Sequence, residues 1–91
     1  MDPEVATPTR APPEILCPIT TEIMRDPVVA ADGHTYERKA IADWFITHNT
    51  SPNTREILRH KELTPNHCVR SHALRFRDEC RDAGIDPDSL A

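Results

Sequence analysis

Cysteine and histidine are the residues of this chain with the most versatile chemistry, because they supply nucleophiles, bases and metal ligands. The 91 residues contain three cysteines and five histidines, namely Cys17, Cys68, Cys80, His34, His48, His60, His67 and His72. A thiol beside an imidazole is the pairing of a covalent catalyst, and Cys17 with His34 is the one candidate pair. No third residue orients that pair, and Leu16 and Pro18 flank the cysteine. We therefore interpret Cys17 as a buried structural thiol.

The spacing around Cys17 and His34 also fits a small cross-braced domain with two zinc ions. Such a domain needs eight Cys or His ligands, since each structural zinc takes four. The eight matching positions are Cys17, Thr20, Asp32, His34, Glu37, Ala40, Ser51 and Thr54. Only the cysteine and the histidine could bind zinc, so not even one site would be complete. Cys68 and His72 lie four apart on a predicted helix without a second pair of ligands elsewhere. We expect no metal and no other cofactor.

Polar side chains occupy most of the positions that lack a zinc ligand. Asp32, His34, Ser51 and Thr54 should converge where one zinc would lie, and their donors and acceptors can satisfy each other. Glu37 belongs to the other position, among less polar neighbours whose packing we expect to suffice. The sequence therefore predicts a structural polar network of Asp32, His34, Glu37, Ser51 and Thr54.

Local signals predict a hairpin and two helices that would position these residues. Two β-preferring segments, 28–30 and 35–36, flank Asp32-Gly33, which is typical of a tight hairpin turn. A central helix should run from Glu37 or Arg38 to about His48, with its apolar side chains four residues apart. Leu58 and Leu63, together with Ile57, should then anchor the following segment in the core.

A longer helix is predicted from His67 to Ala83, with Asn66 as its N-cap. Val69, Ala73, Phe76, Cys80 and Ala83 recur at spacings of three and four and form its apolar stripe. Gly84 suits the left-handed position that ends a helix, and Ile85 should contact Cys80.

The domain boundaries follow from composition. Residues 1–13 contain four prolines and are predicted to be a disordered leader. Residues 14–84 form the folded domain, including the last helix, and residues 85–91 are predicted to be a flexible tail.

Composition excludes several classes of function. The formal net charge of −4 gives no broad basic surface, so nucleic acid is not an expected partner. The sequence has no signal peptide and no apolar run of membrane-spanning length, and its cysteines are odd in number. We expect a protein of the cytoplasm or nucleus with no membrane partner. We also expect no internal repeat.

Three apolar residues should form one surface patch. Ile19 lies in the first proline-containing loop, Trp44 on the central helix and Pro52 in the second such loop. A cross-braced fold places the two loops side by side, with the helix along the groove between them. Each residue alone could belong to the core, but together, beside rigid prolines, they indicate a docking site for another protein.

The segment from Pro13 to Arg75 resembles the U-box domain of ubiquitin ligases. The resemblance rests on CPIT-x-E-x-M-x-DPVV, DGHTYER-x-x-I-x-x-W, SPNTRE-x-L and ELTPNH, in that order. It implies a small α+β, RING-like fold without zinc, made of two loops, a β-hairpin, a central helix and a C-terminal helix. It also implies a non-covalent ubiquitin-protein transferase that acts by positioning its partners.

The resemblance assigns roles to four residues. Ile19, Trp44 and Pro52 match the positions that bind the ubiquitin-conjugating enzyme, and Arg55 matches the catalytic arginine that bridges this enzyme and ubiquitin. The implied partners are a ubiquitin-conjugating enzyme, ubiquitin and a protein substrate that the sequence does not identify. The alternative is a ligase-inactive U-box that serves as a protein-interaction module. The long last helix leaves homodimerisation open.

Overall fold

The computed structural model describes residues 8–91, so most of the predicted leader, residues 1–7, lies outside the described residues. The helices and strands are β1 Pro27–Val29, β2 Thr35–Glu37, α1 Arg38–Thr47, β3 Thr64–Pro65 and α2 His67–Asp82. Short 3-10 turns lie at Pro13–Ile15 and Pro87–Leu90. The predicted α+β class, with a hairpin between two loops, a central helix and a C-terminal helix, is confirmed. Within residues 8–91, no helix is both long and apolar enough to cross a membrane.

The sheet is antiparallel, with strand order β2-β1-β3. The predicted hairpin pairs Val29 with Thr35, and Gly33 in its turn has a φ of 79°. This left-handed conformation is one that glycine adopts without steric cost. The sequence does not predict β3, which pairs Thr64 with Val29. Two residues are too few to show the alternation that identifies a strand.

Helix α1 is fixed to the core by its buried side chains and by a cation at its end. Ile41 and Phe45 are buried, as the spacing of four predicts. His48 follows the helix as its C-cap. The Lys61 ammonium donates a hydrogen bond at 3.1 Å to the Phe45 carbonyl. A positive charge at this end is favourable because the last carbonyls of a helix carry partial negative charge.

Helix α2 begins and ends with the caps that the sequence predicts. The Asn66 side chain accepts a hydrogen bond from the Val69 amide at 3.1 Å. At the other end Gly84 has a φ of 74°, and the Ile85 amide donates to the Cys80 carbonyl at 2.8 Å. This is the Schellman arrangement, which satisfies carbonyls that the helix leaves without a partner.

The buried side chains form two clusters. The hairpin cluster consists of Cys17, Met24, Val28, Ala30, Tyr36, Ile41 and Phe45. The terminal cluster consists of Ala11, Ile15, Ile23, Ala73, Phe76 and Cys80. Leu58, Leu63 and Val69 are partly buried against the hairpin cluster. Two residues that the sequence predicts to be apolar anchors are instead exposed: Ala83, which caps α2, and Ile57, which is 76% exposed.

The two ends of the described chain pack together, which differs from the predicted boundaries. Ala11 is buried, and its amide donates to the Leu90 carbonyl at 2.9 Å. Ile85 and Leu90 pack against the terminal cluster. The leader predicted through residue 13 and the flexible tail predicted from residue 85 are therefore corrected at these positions. Ala11, Ile85 and Leu90 are too scattered in the sequence to form a periodic apolar pattern. The sequence therefore did not predict that they pack against the terminal cluster.

We expect Asn66→Ala to lower the free energy of unfolding by about 1–2 kcal/mol, since N-cap residues contribute that amount. The Asn66 amide group also donates to the Thr35 hydroxyl at 2.9 Å, so the substitution removes a contact between α2 and β2 as well. Urea unfolding measures the loss. Arg70→Ala, an exposed change on the same helix, should stay within about 0.5 kcal/mol of wild type. Equal stability of the Asn66→Ala and wild-type proteins would contradict the assignment of the cap.

Candidate functional site

The first loop, residues 17–23, is closed by backbone hydrogen bonds at both of its ends. The Cys17 amide donates to the Glu22 carbonyl at 2.9 Å, and the Thr21 amide donates back to the Cys17 carbonyl at 2.7 Å. An isolated β-bridge between Leu16 and Ile23 joins the two chain segments that flank the loop. Thr21 has a φ of 61°, in the left-handed region. A β-branched residue rarely adopts this conformation, so the surrounding hydrogen bonds must maintain it.

The second loop, residues 51–57, repeats this backbone arrangement. The Ser51 amide donates to the Glu56 carbonyl and the Arg55 amide donates to the Ser51 carbonyl, both at 2.8 Å. A β-bridge between Thr50 and Ile57 joins the flanking segments. Arg55 has a φ of 67°. Thr21 and Arg55 are the two residues of the described chain other than glycine with positive φ, and they occupy the same position of the two loops.

The repetition is also present in the sequence, so the expectation of no internal repeat is wrong. CPITTEI at residues 17–23 and SPNTREI at residues 51–57 are identical at four of seven positions. The shared threonines, Thr20 and Thr54, each accept a hydrogen bond from the amide two residues later, at 3.2 and 3.3 Å. Sequence reasoning missed the repeat because it is far shorter than the repeats of known repeat architectures. The fold therefore uses one turn twice.

The Asp32 carboxylate connects the second loop to the hairpin turn. It accepts a hydrogen bond from the Ser51 hydroxyl at 2.6 Å and one from the Tyr36 hydroxyl at 2.7 Å. A third comes from the His34 amide at 2.9 Å. Short distances of this kind are typical of hydrogen bonds to an ionised acceptor.

Ser51 is fully buried and satisfies several groups at once. Its hydroxyl donates to Asp32 and accepts from the amides of Asn53 and Thr54, at 3.1 and 3.0 Å. The structure thus brings together the side chains of Asp32 and Ser51, as the sequence predicts. His34 and Thr54 contribute only their backbone amides to this network.

Tyr36 is the member of this network that sequence reasoning missed. It is fully buried and donates to the Asp32 carboxylate that Ser51 also uses. The sequence could have revealed it, because Tyr36 lies on the buried face of the predicted second strand and a buried phenol needs a partner for its hydroxyl. Tyr36 lies outside the eight positions of the zinc pattern, so the ligand count did not include it.

The hydrogen bonds around Asp32 shift the pKa values of Asp32 and Tyr36. Burial alone would raise the pKa of Asp32, but the hydrogen bonds from Ser51, Tyr36 and the His34 amide lower it overall. Burial and the hydrogen bond to Asp32 raise the pKa of Tyr36 to about 12. At neutral pH the network therefore contains an ionised carboxylate and a neutral phenol.

Glu37 forms a separate network beneath the first loop. Its carboxylate accepts hydrogen bonds from the amides of Arg25 and Asp26 at 2.9 and 2.7 Å. Its own amide donates to the Cys17 sulfur at 3.4 Å. The expectation that packing alone suffices at this position is therefore wrong. Within residues 8–91, no three His, Cys, Asp or Glu side chains are grouped as ligands for one metal ion.

The three residues of the predicted docking patch lie on the two loops and α1. Ile19 is 37% exposed, while Pro52 and Trp44 are half-buried. The indole nitrogen of Trp44 donates to the Thr50 carbonyl at 2.6 Å. The His48 ring stacks on the Trp44 ring at a centroid distance of 3.7 Å and an interplanar angle of 7°. His48, at the predicted end of the central helix, thus fixes the orientation of the indole.

A cleft of about 640 Å³ separates the first loop from α1. Its lining residues are Thr20, Glu22, Ile23, Arg25, Asp26, Glu37, Arg38, Lys39, Ala40, Ala42 and Asp43. Helix α1 therefore borders both loops: it faces the first across this cleft, and it contacts the second through the bond from Trp44 to Thr50.

The side chain of Arg55 is exposed. It forms no ion pair or hydrogen bond with another residue of the described chain, 8–91. Its backbone, by contrast, is held in the left-handed conformation by the bond to Ser51. A residue with a side chain pays a steric penalty there that glycine does not. The fold thus fixes the position of Arg55 without using its guanidinium.

Comparison with known proteins relates this arrangement to one family. The sequence model of the U-box domain matches residues 11–82. U-box domain-containing protein 34 of Arabidopsis thaliana is 50% identical over 76 residues, which cover 84% of this chain and 10% of that protein. The WD repeat, SAM and U-box domain-containing protein 1 of Danio rerio is 53% identical over 66 residues, which cover 71% and 14%. The chain thus spans about a tenth of the length of these relatives.

Ser51→Ala should destabilise the domain by about 2–3 kcal/mol, because it removes one of the three hydrogen bonds to the Asp32 carboxylate and leaves the Asn53 and Thr54 amides without their acceptor. Thr54→Ala is the matched control in the same loop. The Thr54 hydroxyl accepts only one exposed bond, from the Glu56 amide, so its loss should cost under about 1 kcal/mol. Thermal melting of both variants tests the difference. Equal melting temperatures would show that the network does not stabilise the fold.

The lowered pKa of Asp32 predicts a loss of stability in acid. A carboxylate whose pKa is lower in the folded state stabilises the protein above its unfolded-state pKa. This contribution should disappear as the pH falls through the folded-state pKa, below pH 4. Asp32→Asn should be less stable than wild type at pH 7 and should lose less stability between pH 5 and pH 2. Urea unfolding across this range measures both slopes, and parallel slopes would rule out Asp32 as the titrating group.

Proposed function

This chain belongs to the U-box family, a family of ubiquitin ligase modules, and we propose that it is an active one. In this proposal it binds a ubiquitin-charged conjugating enzyme through Ile19, Trp44 and Pro52. Arg55 contacts the conjugating enzyme and ubiquitin together. The substrate is a protein lysine.

The single observation that carries the proposal is that Arg55 has a fixed backbone and an exposed side chain without a partner in the described chain. Its backbone is fixed at a φ of 67°, and its side chain is exposed and has no partner within residues 8–91. A guanidinium with five donors in a rigid plane can bond two surfaces at once. Since nothing in the described fold uses this group, an external partner supplies the most direct reason for an arginine at a position where glycine would be less strained.

The proposed reaction is the transfer of an acyl group between two partners. The lysine amine attacks the thioester carbonyl of ubiquitin, and an isopeptide bond replaces the thioester. The conjugating enzyme's thiolate leaves, and the proton that the amine loses converts it to the thiol. The U-box supplies no atom to this exchange. It accelerates the reaction by holding the thioester and ubiquitin in one arrangement, which lowers the entropic part of the barrier.

The thiols of this chain support a mechanism without a covalent intermediate. Cys17 is buried, and its sulfur accepts the Glu37 amide hydrogen bond. Cys80 is buried, and burial, with the nearby charges of Glu79 and Asp86, raises the pKa of its thiol. A buried thiol with a raised pKa is a poor nucleophile. Cys68 is exposed on α2, away from both loops in the sequence.

The test is ubiquitin transfer with a panel of conjugating enzymes, in the presence of the 91-residue chain. Wild type should form ubiquitin chains, and Ile19→Ala and Arg55→Ala should each reduce the rate at least about tenfold, as for residues that dominate an interface. The matched controls are Leu74→Ala, an exposed aliphatic residue of α2, and Arg59→Ala, another exposed arginine. Both should retain activity close to wild type.

The controls distinguish the alternatives. Loss of activity with Leu74→Ala as severe as with Ile19→Ala would show that the docking surface lies elsewhere. A folded wild type that is silent with every conjugating enzyme would instead support a U-box that serves only as a protein-interaction module.

A further inference from the structure

Arg77 on α2 holds the segment that follows the first loop. One nitrogen of its guanidinium, Nη2, donates to the Ile23 carbonyl at 3.0 Å and to the Met24 carbonyl at 3.2 Å. These residues lie 54 and 53 positions away in the sequence. The guanidinium thus connects the last helix with the exit of the loop that contains Ile19.

The contact is made at the junction of the two hydrophobic clusters. Ile23 belongs to the terminal cluster and Met24 to the hairpin cluster. Both residues are buried, and the Met24 amide donates to the Ile15 carbonyl at 2.8 Å. Arg77 therefore bonds the carbonyl groups at the point where the chain passes from one cluster to the other.

Burial of part of the Arg77 side chain costs solvation free energy. The Nε atom of Arg77 is buried and has no hydrogen-bond partner within residues 8–91. No carboxylate forms an ion pair with its guanidinium in that range. A cation without a paired anion loses hydration that two carbonyl bonds restore only in part. An apolar residue would avoid this cost but would leave the Ile23 and Met24 carbonyls without this donor, so the arginine is explained by the contact that it makes with the loop exit.

The two loops differ in the side chains that anchor them, and the comparison indicates what Arg77 contributes. The second loop has the same backbone turn as the first, and its first residue, Ser51, is bonded to the Asp32 carboxylate. The first loop begins with Cys17, whose sulfur accepts one long bond of 3.4 Å from Glu37. The first residue of the first loop thus provides no anchor as strong as that of Ser51, and the Glu37 carboxylate bonds only the Arg25 and Asp26 amides beyond the loop. Arg77 supplies an anchor from α2, at Ile23, the residue that closes the loop in the bridge with Leu16.

We propose that Arg77 is a positioning residue that sets the conformation of the first loop and thereby the affinity for the conjugating enzyme. This inference rests on the proposed function. Arg77 touches no reacting group, so its loss should reduce the population of the binding-competent loop. The apparent dissociation constant rises by the inverse of that population, while the rate at saturation is unchanged.

The test compares Arg77→Met, which keeps the apolar stem and removes the donors, with Arg77→Lys, which restores a cation. The Arg77→Met change should raise the KM for the charged conjugating enzyme at least about fivefold and leave kcat within about twofold. Lysine should recover part of the affinity, because its ammonium has donors but no planar fork. Asn66→Ala is the matched control, since it weakens the other end of the same helix without touching the first loop.

Hydrogen exchange provides a second readout that does not need activity. In Arg77→Met the amides of Cys17 and Thr21, which close the first loop, should exchange faster. The amides of Ser51 and Arg55, which make the same bonds in the second loop, should not change. In Asn66→Ala this difference between the loops should be absent.

The outcomes separate the inference from the proposed function. A wild type that transfers no ubiquitin refutes the proposed function, while selective exchange in the first loop still supports Arg77 as its anchor. A KM for Arg77→Met equal to that of a comparably destabilised Asn66→Ala protein overturns the inference, as does equal exchange in both loops. A kcat loss with an unchanged KM also overturns it.

Discussion

The hydrogen bonds that converge on Asp32 are the constraint on which much of this fold depends. The carboxylate lies in the hairpin turn, yet it bonds Ser51, 19 residues later, and Tyr36 on β2. Removing an ionised group from water costs free energy, and hydrogen bonds that fill its acceptor positions offset that cost. Here two hydroxyls and an amide fill them. The hairpin, β2 and the second loop are consequently fixed relative to one another without a metal ligand set among the described residues.

The same turn is anchored in two different ways. The second loop is tied through its first residue, Ser51, to the hairpin. The first loop is supported by amide bonds to Glu37 in the adjoining segment and by Arg77 at its exit. A backbone turn of seven residues can specify its own shape, but it cannot specify its place in the molecule. The anchors provide that placement, and in the first loop one of them comes from the far end of the chain.

Local signals predicted most of the elements correctly. The turn at Gly33, the cap at Asn66 and the ending at Gly84 are each defined by a few neighbouring residues, which is why they could be read without a structure. The errors concern residues whose partners only the folded chain reveals. Some of these partners are distant in the sequence, and others, as for Tyr36 and His48, lie only four residues away. Ala11, Ile85 and Leu90 pack because α2 offers them an apolar face. Tyr36, His48 and Arg77 are explained only by Asp32, Trp44 and the first-loop carbonyls.

The sequence by itself determined the family, the α+β class, the positions of the loops and helices, and the insufficiency of zinc ligands. These follow from residue types and spacings that act over short distances. Only the tertiary structure decided which polar groups meet. It gave Glu37 the Arg25 and Asp26 amides as donors, and it left the side chains of His34 and Thr54 outside the network of Asp32 and Ser51. The physical reason is that a hydrogen bond requires its donor and acceptor within about 3 Å, and spacing along a chain does not fix that distance once the chain has turned.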